Sequence, residues 1–328
     1  MPDAGAPGRF CPADYRLGPE AFAAVEPFEA DVLYVVGGLY GNTVALDALL
    51  ALFDEEASPR RRIVFNGDFH WFDRDPAEFA RIEALTHGHR RLRGNVETEI
   101  ARPGDEAGCG CAYPDDVDDG TVERSNRILG ELKHAAAELG CADALLGLPM
   151  VARARVGACR VAITHGDERS LAGWRLASER IDAAWDDGLA DALRAMQADL
   201  IASSHTCVPV ASTRETSAGV VGMINNGAAG MANFVGTHHG LITRVALPGI
   251  PLPRGVRPVY RASIAGAEVA AVALEFDLSR WLERFERQWP EGSDAHRSYH
   301  RRIVHSTQLA PEHAALGRFS CMAEALDV

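Results

Sequence analysis

The 328-residue chain contains one lysine, Lys133, so its positive charge is almost all arginine. Basic residues are outnumbered, 33 against 46 acidic ones, for a net charge of −13. A surface of that sign repels a phosphate backbone, which argues against nucleic acid as a partner but not against a small phosphorylated ligand in a local site. Cysteine is sparse: seven residues, odd in number and irregularly spaced. That is no disulfide framework and reads as a reducing compartment. Long apolar runs are missing too. The most apolar stretch, Val32 to Phe53, is broken by Gly37, Gly38, Gly41, Asn42 and Asp47, too often for a membrane span. The opening residues, Met1 to Arg16, lack the apolar centre of a signal peptide. The expected setting is the cytoplasm, without a membrane partner. No heptad pattern, internal repeat or low-complexity tract is visible.

What is present is the balance of a globular protein with a large core: 47% hydrophobic and 24% charged residues. The chain repeatedly reads as strand, polar loop, helix. Val32–Val36 is a buried-type strand, followed by a glycine-rich turn and a helical stretch over 44–53. Arg62–Phe65 runs into Asn66-Gly67-Asp68, a helix is expected over 76–88, and Arg91–Arg93 runs into Gly94-Asn95. Another helix is expected over 121–140. Cys159–Thr164 leads into His165-Gly166-Asp167, a helix over 177–197 follows, and Ala198–Ala202 leads into Ser203-Ser204-His205-Thr206-Cys207. Strands over 219–224 and 240–247 come next, then a hairpin near 258–276 turning at Gly266, and a charged, Trp-containing helix over 278–289. Strands alternating with helices and giving way to strands argue an α/β layered sandwich. The expected organisation is an N-terminal arm (1–30), a main domain (31–276) with an acidic, glycine-rich insertion (101–120) that is mobile or a lid, and a C-terminal helical extension (277–328). Within the extension, the 278–303 region with Trp281 and Trp289 offers a surface for a homo-oligomer.

Asp68, Asn95, His165 and His205 each stand just after an apolar strand. In open α/β sheets, ligands bind outside the carboxyl ends of the strands, so these loops are expected to converge. Two imidazoles, a carboxylate and an amide oxygen suit a borderline divalent metal such as Mn, Fe or Zn. Singly, each residue also has a plain structural reading as a turn, cap or buried polar group.

The order of motifs resembles that of the calcineurin-like metallophosphoesterase family, which carries D-x-H-G-N, G-D, G-N-H-E, H-G and G-H-x-H. The counterparts here are Gly38-Leu39-Tyr40-Gly41-Asn42, Gly67-Asp68, Gly94-Asn95-Val96-Glu97, His165-Gly166 and Ser204-His205-Thr206-Cys207. Asn225-Asn226-Gly227 is similar to the Asn-Pro-Gly that follows in bacterial members. The resemblance covers about residues 31–230. It implies a four-layer α-β-β-α sandwich and metal-dependent cleavage of phosphoesters.

The departures are concentrated. In the family, one metal is held by both residues of D-x-H, by the shared Asp and by the last His; here those positions are Gly38, Tyr40, Asp68 and Cys207. Glycine has no ligating side chain, and tyrosine binds only as a phenolate, with a reference pKa of about 10. The other metal's ligands, Asp68, Asn95, His165 and His205, are all present. The resemblance therefore implies one divalent metal per chain. The family's general acid is replaced by Val96, while Glu97 keeps an acidic position. Asp167 is a candidate to orient a ligand or carry a proton. His70 is a candidate for substrate contact, for packing or as a replacement ligand. Arg93 or Arg74 would supply positive charge to a phosphate.

Gly37-Gly38-x-x-Gly41, with Asn42 beyond, is weakly reminiscent of a phosphate cradle ahead of a helix. Cys109-Gly110-Cys111 reads as a plain loop, with cleft capping or metal binding as the alternatives. The function expected is a metal-dependent phosphoesterase acting on a small phosphorylated substrate. Two alternatives remain: a binding or regulatory protein on the same scaffold, or a chemistry built on Tyr40 and Cys207.

Overall fold

The residues of Val32–Val36 alternate between two apolar surroundings. Leu33 and Val35 face the core between two β-sheets, while Val32, Tyr34 and Val36 face a layer of helices. A strand buried on both faces has to be apolar throughout, which is why the segment reads as a continuous hydrophobic run. The computed structural model, which describes residues 5–322, repeats this arrangement across both sheets. One sheet has six strands in the order β1 (Phe28–Glu29), β5 (Val151–Val156), β6 (Cys159–Thr164), β7 (Leu200–Ser203), β9 (Gly219–Asn225) and β8 (Val210–Thr216). The other has seven, in the order β13 (Ser320–Cys321), β11 (Pro258–Ile264), β12 (Ala267–Leu274), β10 (Gly240–Ala246), β2 (Val32–Val36), β3 (Arg61–Asn66) and β4 (Arg90–Leu92).

Helices cover both outer faces. On the seven-stranded sheet lie α2 (Thr43–Asp54), α3 (Pro76–Thr86), α4 (Asn95–Ala101), α5 (Asp119–Leu139), α6 (Ala142–Leu146), α9 (Leu278–Gln288) and α10 (Asp294–His305). The six-stranded sheet is covered by α1 (Pro19–Ala23), α7 (Ile181–Asp186) and α8 (Leu189–Ala195). The short α11 (Pro311–Ala314) returns the chain to β13. The result is the expected four-layer α-β-β-α sandwich. Strands β2, β3 and β4 run parallel through helical crossovers, as do β6 and β7, so each group presents its carboxyl ends at one edge of its sheet. Among the described residues, no helix is long and apolar enough to cross a membrane.

Several expectations need correction. The helix expected over 177–197 is three pieces, a 3-10 turn (Ser178–Arg180), α7 and α8, because Gly188 takes a left-handed conformation at φ 84° between the last two. Strands β5 and β8 were not anticipated. In β5 the arginines of Val151-Ala-Arg-Ala-Arg-Val156 mask the apolar alternation.

Residues 5–30 are not an arm. Tyr15 and Phe22 are fully buried, and β1 adds to β5 in parallel. The segment also fastens the insertion: Gly8 exchanges backbone hydrogen bonds with Ala107 and Tyr113, and the Arg9 guanidinium donates to the carbonyls of Pro114 and Val117. Nor do Trp281 and Trp289 offer an oligomer surface. Both are buried against the chain's own core, with the Trp289 indole donating to the Phe72 carbonyl. The outermost parts of the expected arm and extension, residues 1–4 and 323–328, lie outside the described residues.

Candidate metal centre

Asp68 lies two residues beyond β3, Asn95 opens α4 just after β4, His165 follows β6, and His205 lies two residues beyond β7. The carboxyl ends of parallel strands from both sheets thus deliver four polar side chains to one place. The ligand atoms of Asp68, His165 and His205 all lie within 4.8 Å of one another, and all three residues are buried. His165 Nε2 is the hub. It stands 3.3 Å from Asp68 Oδ1, 3.1 Å from Asn95 Oδ1 and 3.0 Å from His205 Nδ1.

Outward hydrogen bonds fix which atoms face inward. His165 Nδ1 donates to the Asn66 carbonyl at 2.9 Å, which leaves Nε2 with the lone pair. His205 Nε2 donates to the Cys111 carbonyl at 3.1 Å, which leaves Nδ1 facing the cluster. The Asn95 amide nitrogen donates to the Cys109 carbonyl at 2.9 Å and turns its oxygen inward. Four acceptors then confront one another across hydrogen-bonding distance, an arrangement that repels itself until positive charge is placed among them. The electrostatics agree. Burial opposes a charge on His165, but the Asp68 carboxylate outweighs it and raises the imidazole above its ordinary pKa. Burial, then the neighbouring His165, push His205 down to about 3. The cluster accommodates one added positive charge, and its nitrogen and oxygen donors fit a divalent transition metal.

The loop conformations are specific. Asp68 adopts a positive φ of 51°, uncommon for a non-glycine residue. Glu97 holds it there: its carboxylate accepts the backbone N–H groups of Gly94, Asp68 and Phe69 at 2.8, 2.9 and 3.0 Å. Burial and the nearby Asp68 push the Glu97 carboxyl up. Glu97 is therefore a brace behind the cluster and not a member of it.

The structure is similar to that of a metallophosphoesterase from Sphaerobacter thermophilus, with 17% identity, 84% of this chain and 100% of that chain covered, and a TM-score of 0.51. It is also similar to that of a hypothetical protein from Pyrococcus horikoshii OT3, with 14% identity, 85% and 99% covered, and a TM-score of 0.56. The fold is the metallophosphoesterase sandwich. No family model and no curated protein matches the sequence, so the likeness establishes architecture alone.

Within this metallophosphoesterase sandwich, several other sequence candidates fall away from the cluster. His70 is fully buried and stacks on Phe79 with ring centroids 3.6 Å apart. Its Nδ1 lies 2.6 Å from Asp73 and its Nε2 3.2 Å from Glu83. Burial opposes its charge, but the two carboxylates win and raise it to about 9. It packs, and is neither a replacement ligand nor exposed to a substrate. The oxygens of Asp167 accept the backbone N–H groups of Arg169, Ser170 and Arg175 at 2.8, 2.9 and 3.1 Å, so its carboxylate shapes its own loop. Asn42 caps α2 by accepting from Val44 and Ala45.

The glycine loop is no phosphate cradle. The N–H groups of Gly38, Tyr40 and Gly41 are spent on the carbonyls of Gly67, Asp68 and Phe69. Arg93 donates to the Leu146 carbonyl, and Arg74 stacks on Trp289 beside Glu131. Neither lines the central cavity.

That cavity measures about 40 Å³. Larger hollows lie elsewhere, such as one of about 410 Å³ beside Arg261 and Arg318, but among the described residues only Asp68, His165 and His205 form a metal-sized cluster. Tyr40 and Cys207 line the cavity, at positive φ of 55° and 58°, with the phenol and thiol hydrogen-bonded to each other. Burial pushes the pKa of both upward, so both stay protonated.

Apart from the cleft-capping alternative at Cys109-Gly110-Cys111, the roof was not read from sequence. Cys111 and Tyr113 come from the insertion, Trp174 from the loop after β6, and Tyr299 from α10. The Cys111 carbonyl accepts from both His205 and the Trp174 indole, the latter at 2.9 Å. The stretch read as a plain loop at Cys109-Gly110-Cys111 is the cap over the cluster. Its recognition is by backbone carbonyls, which carry no residue-type signature.

Proposed function

We propose that the protein is a metal-dependent phosphoesterase acting on a small phosphorylated substrate, with one divalent cation (Mn, Fe or Zn) held by Asp68, Asn95, His165 and His205. The observation that carries this reading is the convergence of four inward-facing acceptors, each fixed by an outward hydrogen bond or a braced turn, in a buried site of the metallophosphoesterase sandwich. A bound divalent cation supplies Lewis-acid polarisation of a phosphoryl oxygen and activation of water. The chain's own residues provide the rest. Asn66 and Cys111 set the imidazole tautomers, Glu97 braces Asp68, and the aromatic roof limits water. Val96 has no proton to give, so the protonated groups at the cavity wall are Tyr40, Tyr113, Tyr299, Cys111 and Cys207, all held protonated by burial.

The second reading, a binding protein on the same scaffold, is favoured by one feature. Tyr40 and Cys207 fill the place where the resemblance implies a second metal, and only about 40 Å³ is left free. Elemental analysis with turnover of phosphoester substrates separates the two. Chelation that removes both metal and turnover, with manganese restoring both, supports the enzyme. Stoichiometric metal with no turnover on monoesters or diesters supports the binding protein.

A further inference from the structure

The walls of the cavity carry no lysine or arginine side chain. The guanidinium of Arg302 approaches from α10 but is committed to the carbonyls of Ala232 at 3.0 Å and Cys207 at 2.8 Å, and to Asn233 Oδ1 at 3.4 Å. Asp68 faces the cluster, and its brace Glu97 lies directly behind it. A divalent cation and the Arg302 guanidinium, set against the Asp68 and Glu97 carboxylates, leave one net positive charge. A monoanionic ligand neutralises that charge. A dianionic one leaves a buried negative charge with no partner, which low-dielectric surroundings penalise.

The space is equally selective. A water needs about 10–15 Å³ of such volume, so about 40 Å³ admits about three small groups, enough for a phosphoryl head and not for its substituents. The substituents have to pass between aromatic rings. Tyr113 and Trp174 stand with centroids 5.9 Å apart, and Trp174 lies 5.4 Å from His205. Trp71 and Tyr299, which also line the cavity, stand 6.4 Å apart, edge to face. Flat rings at the mouth of a site that lacks cationic side chains favour aromatic substituents over charged ones.

We propose that the substrate is a monoanionic phosphodiester bearing an aromatic ring, with the phosphoryl group at the Asp68–His165–His205 cluster and the ring between the Tyr113–Trp174 and Trp71–Tyr299 pairs. This rests on the phosphoesterase reading and narrows it to one class of ester.

The test uses the full chain loaded with manganese at about pH 8, where a phosphomonoester is a dianion because its second pKa is about 6. Calorimetric titration with diphenyl phosphate, phenyl phosphate and dimethyl phosphate separates charge from ring. Diphenyl phosphate is expected to bind at least about tenfold tighter than either of the others. In Trp174→Leu, its advantage over dimethyl phosphate should shrink. Phenyl phosphate binding as tightly as diphenyl phosphate overturns the charge argument, and dimethyl phosphate doing so overturns the ring argument.

Turnover distinguishes this inference from the reading it rests on. Faster cleavage of p-nitrophenyl phosphate than of bis(p-nitrophenyl) phosphate overturns the diester assignment and leaves the phosphoesterase intact. A preference for binding diphenyl phosphate with no cleavage of either ester supports the ligand class and removes the enzyme.

Discussion

The floor of the cavity has two halves that share Asp68 and differ in everything else. On one side, Asn95, His165 and His205 turn lone pairs toward a common point, each held by a hydrogen bond to a backbone carbonyl or to a neighbouring ligand. On the other, Gly38 offers no side chain, and Tyr40 and Cys207 satisfy each other. The first half is frustrated until a cation arrives, whereas the second is already complete. A polar cluster therefore marks a ligand site when its acceptors outnumber its donors, and is merely structural when the two are matched.

The sharpest way to break this contrast is to remove the hub. His165→Ala should eliminate tight metal binding, taking bound metal from about one equivalent to a small fraction by elemental analysis, because a cation site loses a donor from a buried first coordination sphere. Two equivalents in the wild type, or full retention in the variant, would falsify the one-metal assignment.

Next in size is conversion of the matched half into an unmatched one by Gly38→Asp, Tyr40→His and Cys207→His together. Gly38 has φ 63°, a conformation that aspartate tolerates better than most residues, and the atoms nearest an added Cβ belong to the Tyr40 ring, 2.9 Å away, which the second change removes. A folded triple variant should take up a second equivalent of manganese. One that still binds a single equivalent shows that Gly38 and Tyr40 do not occupy the positions the motif order implies.

The smallest effect belongs to Tyr40→Phe. Loss of the hydroxyl leaves the Cys207 thiol with the His205 carbonyl as its remaining acceptor and should cost about 1 kcal/mol or less in denaturant unfolding. Metal content should be unchanged. A fall in metal content would place Tyr40 among the ligands and collapse the contrast between the halves.

The convergence of Asp68, Asn95, His165 and His205 is legible because strand, turn and polar residue recur in sequence, and parallel strands of a layered sheet point their carboxyl ends the same way. The sandwich follows from the same alternation. What sequence could not resolve is orientation within a turn. Asp167 stands two residues from His165 and His70 two from Asp68, yet both side chains are drawn back into their own loops by nearby N–H groups or carboxylates. Arg93 looked available for a phosphate because its sequence neighbours said nothing of the Leu146 carbonyl that claims it. The roof was hidden for a different reason. Cys111 acts through its carbonyl, and Tyr299 and Arg302 arrive from a helix that follows the last strands of the sandwich proper. The buried Tyr15 and Phe22 were overlooked because proline and glycine dominate their surroundings in sequence.

The hydrogen bond from Arg302 to the Cys207 carbonyl spans 95 residues, and the one from His165 to the Asn66 carbonyl spans 99. During synthesis, the loop bearing His205 therefore emerges long before the residue that pins it, and Asp68 waits through the whole of the insertion and α5 for its imidazole partners. Contacts of such separation form slowly, and domains fold largely in the order in which they are made. The half that contains Cys207 is thus completed only when α10 has left the ribosome, whereas the anchors of Asp68, His165 and His205 have all been made by residue 205. A nascent chain stalled before residue 302 presents the cluster with its own anchors already synthesised and only the Cys207 carbonyl still without its guanidinium partner.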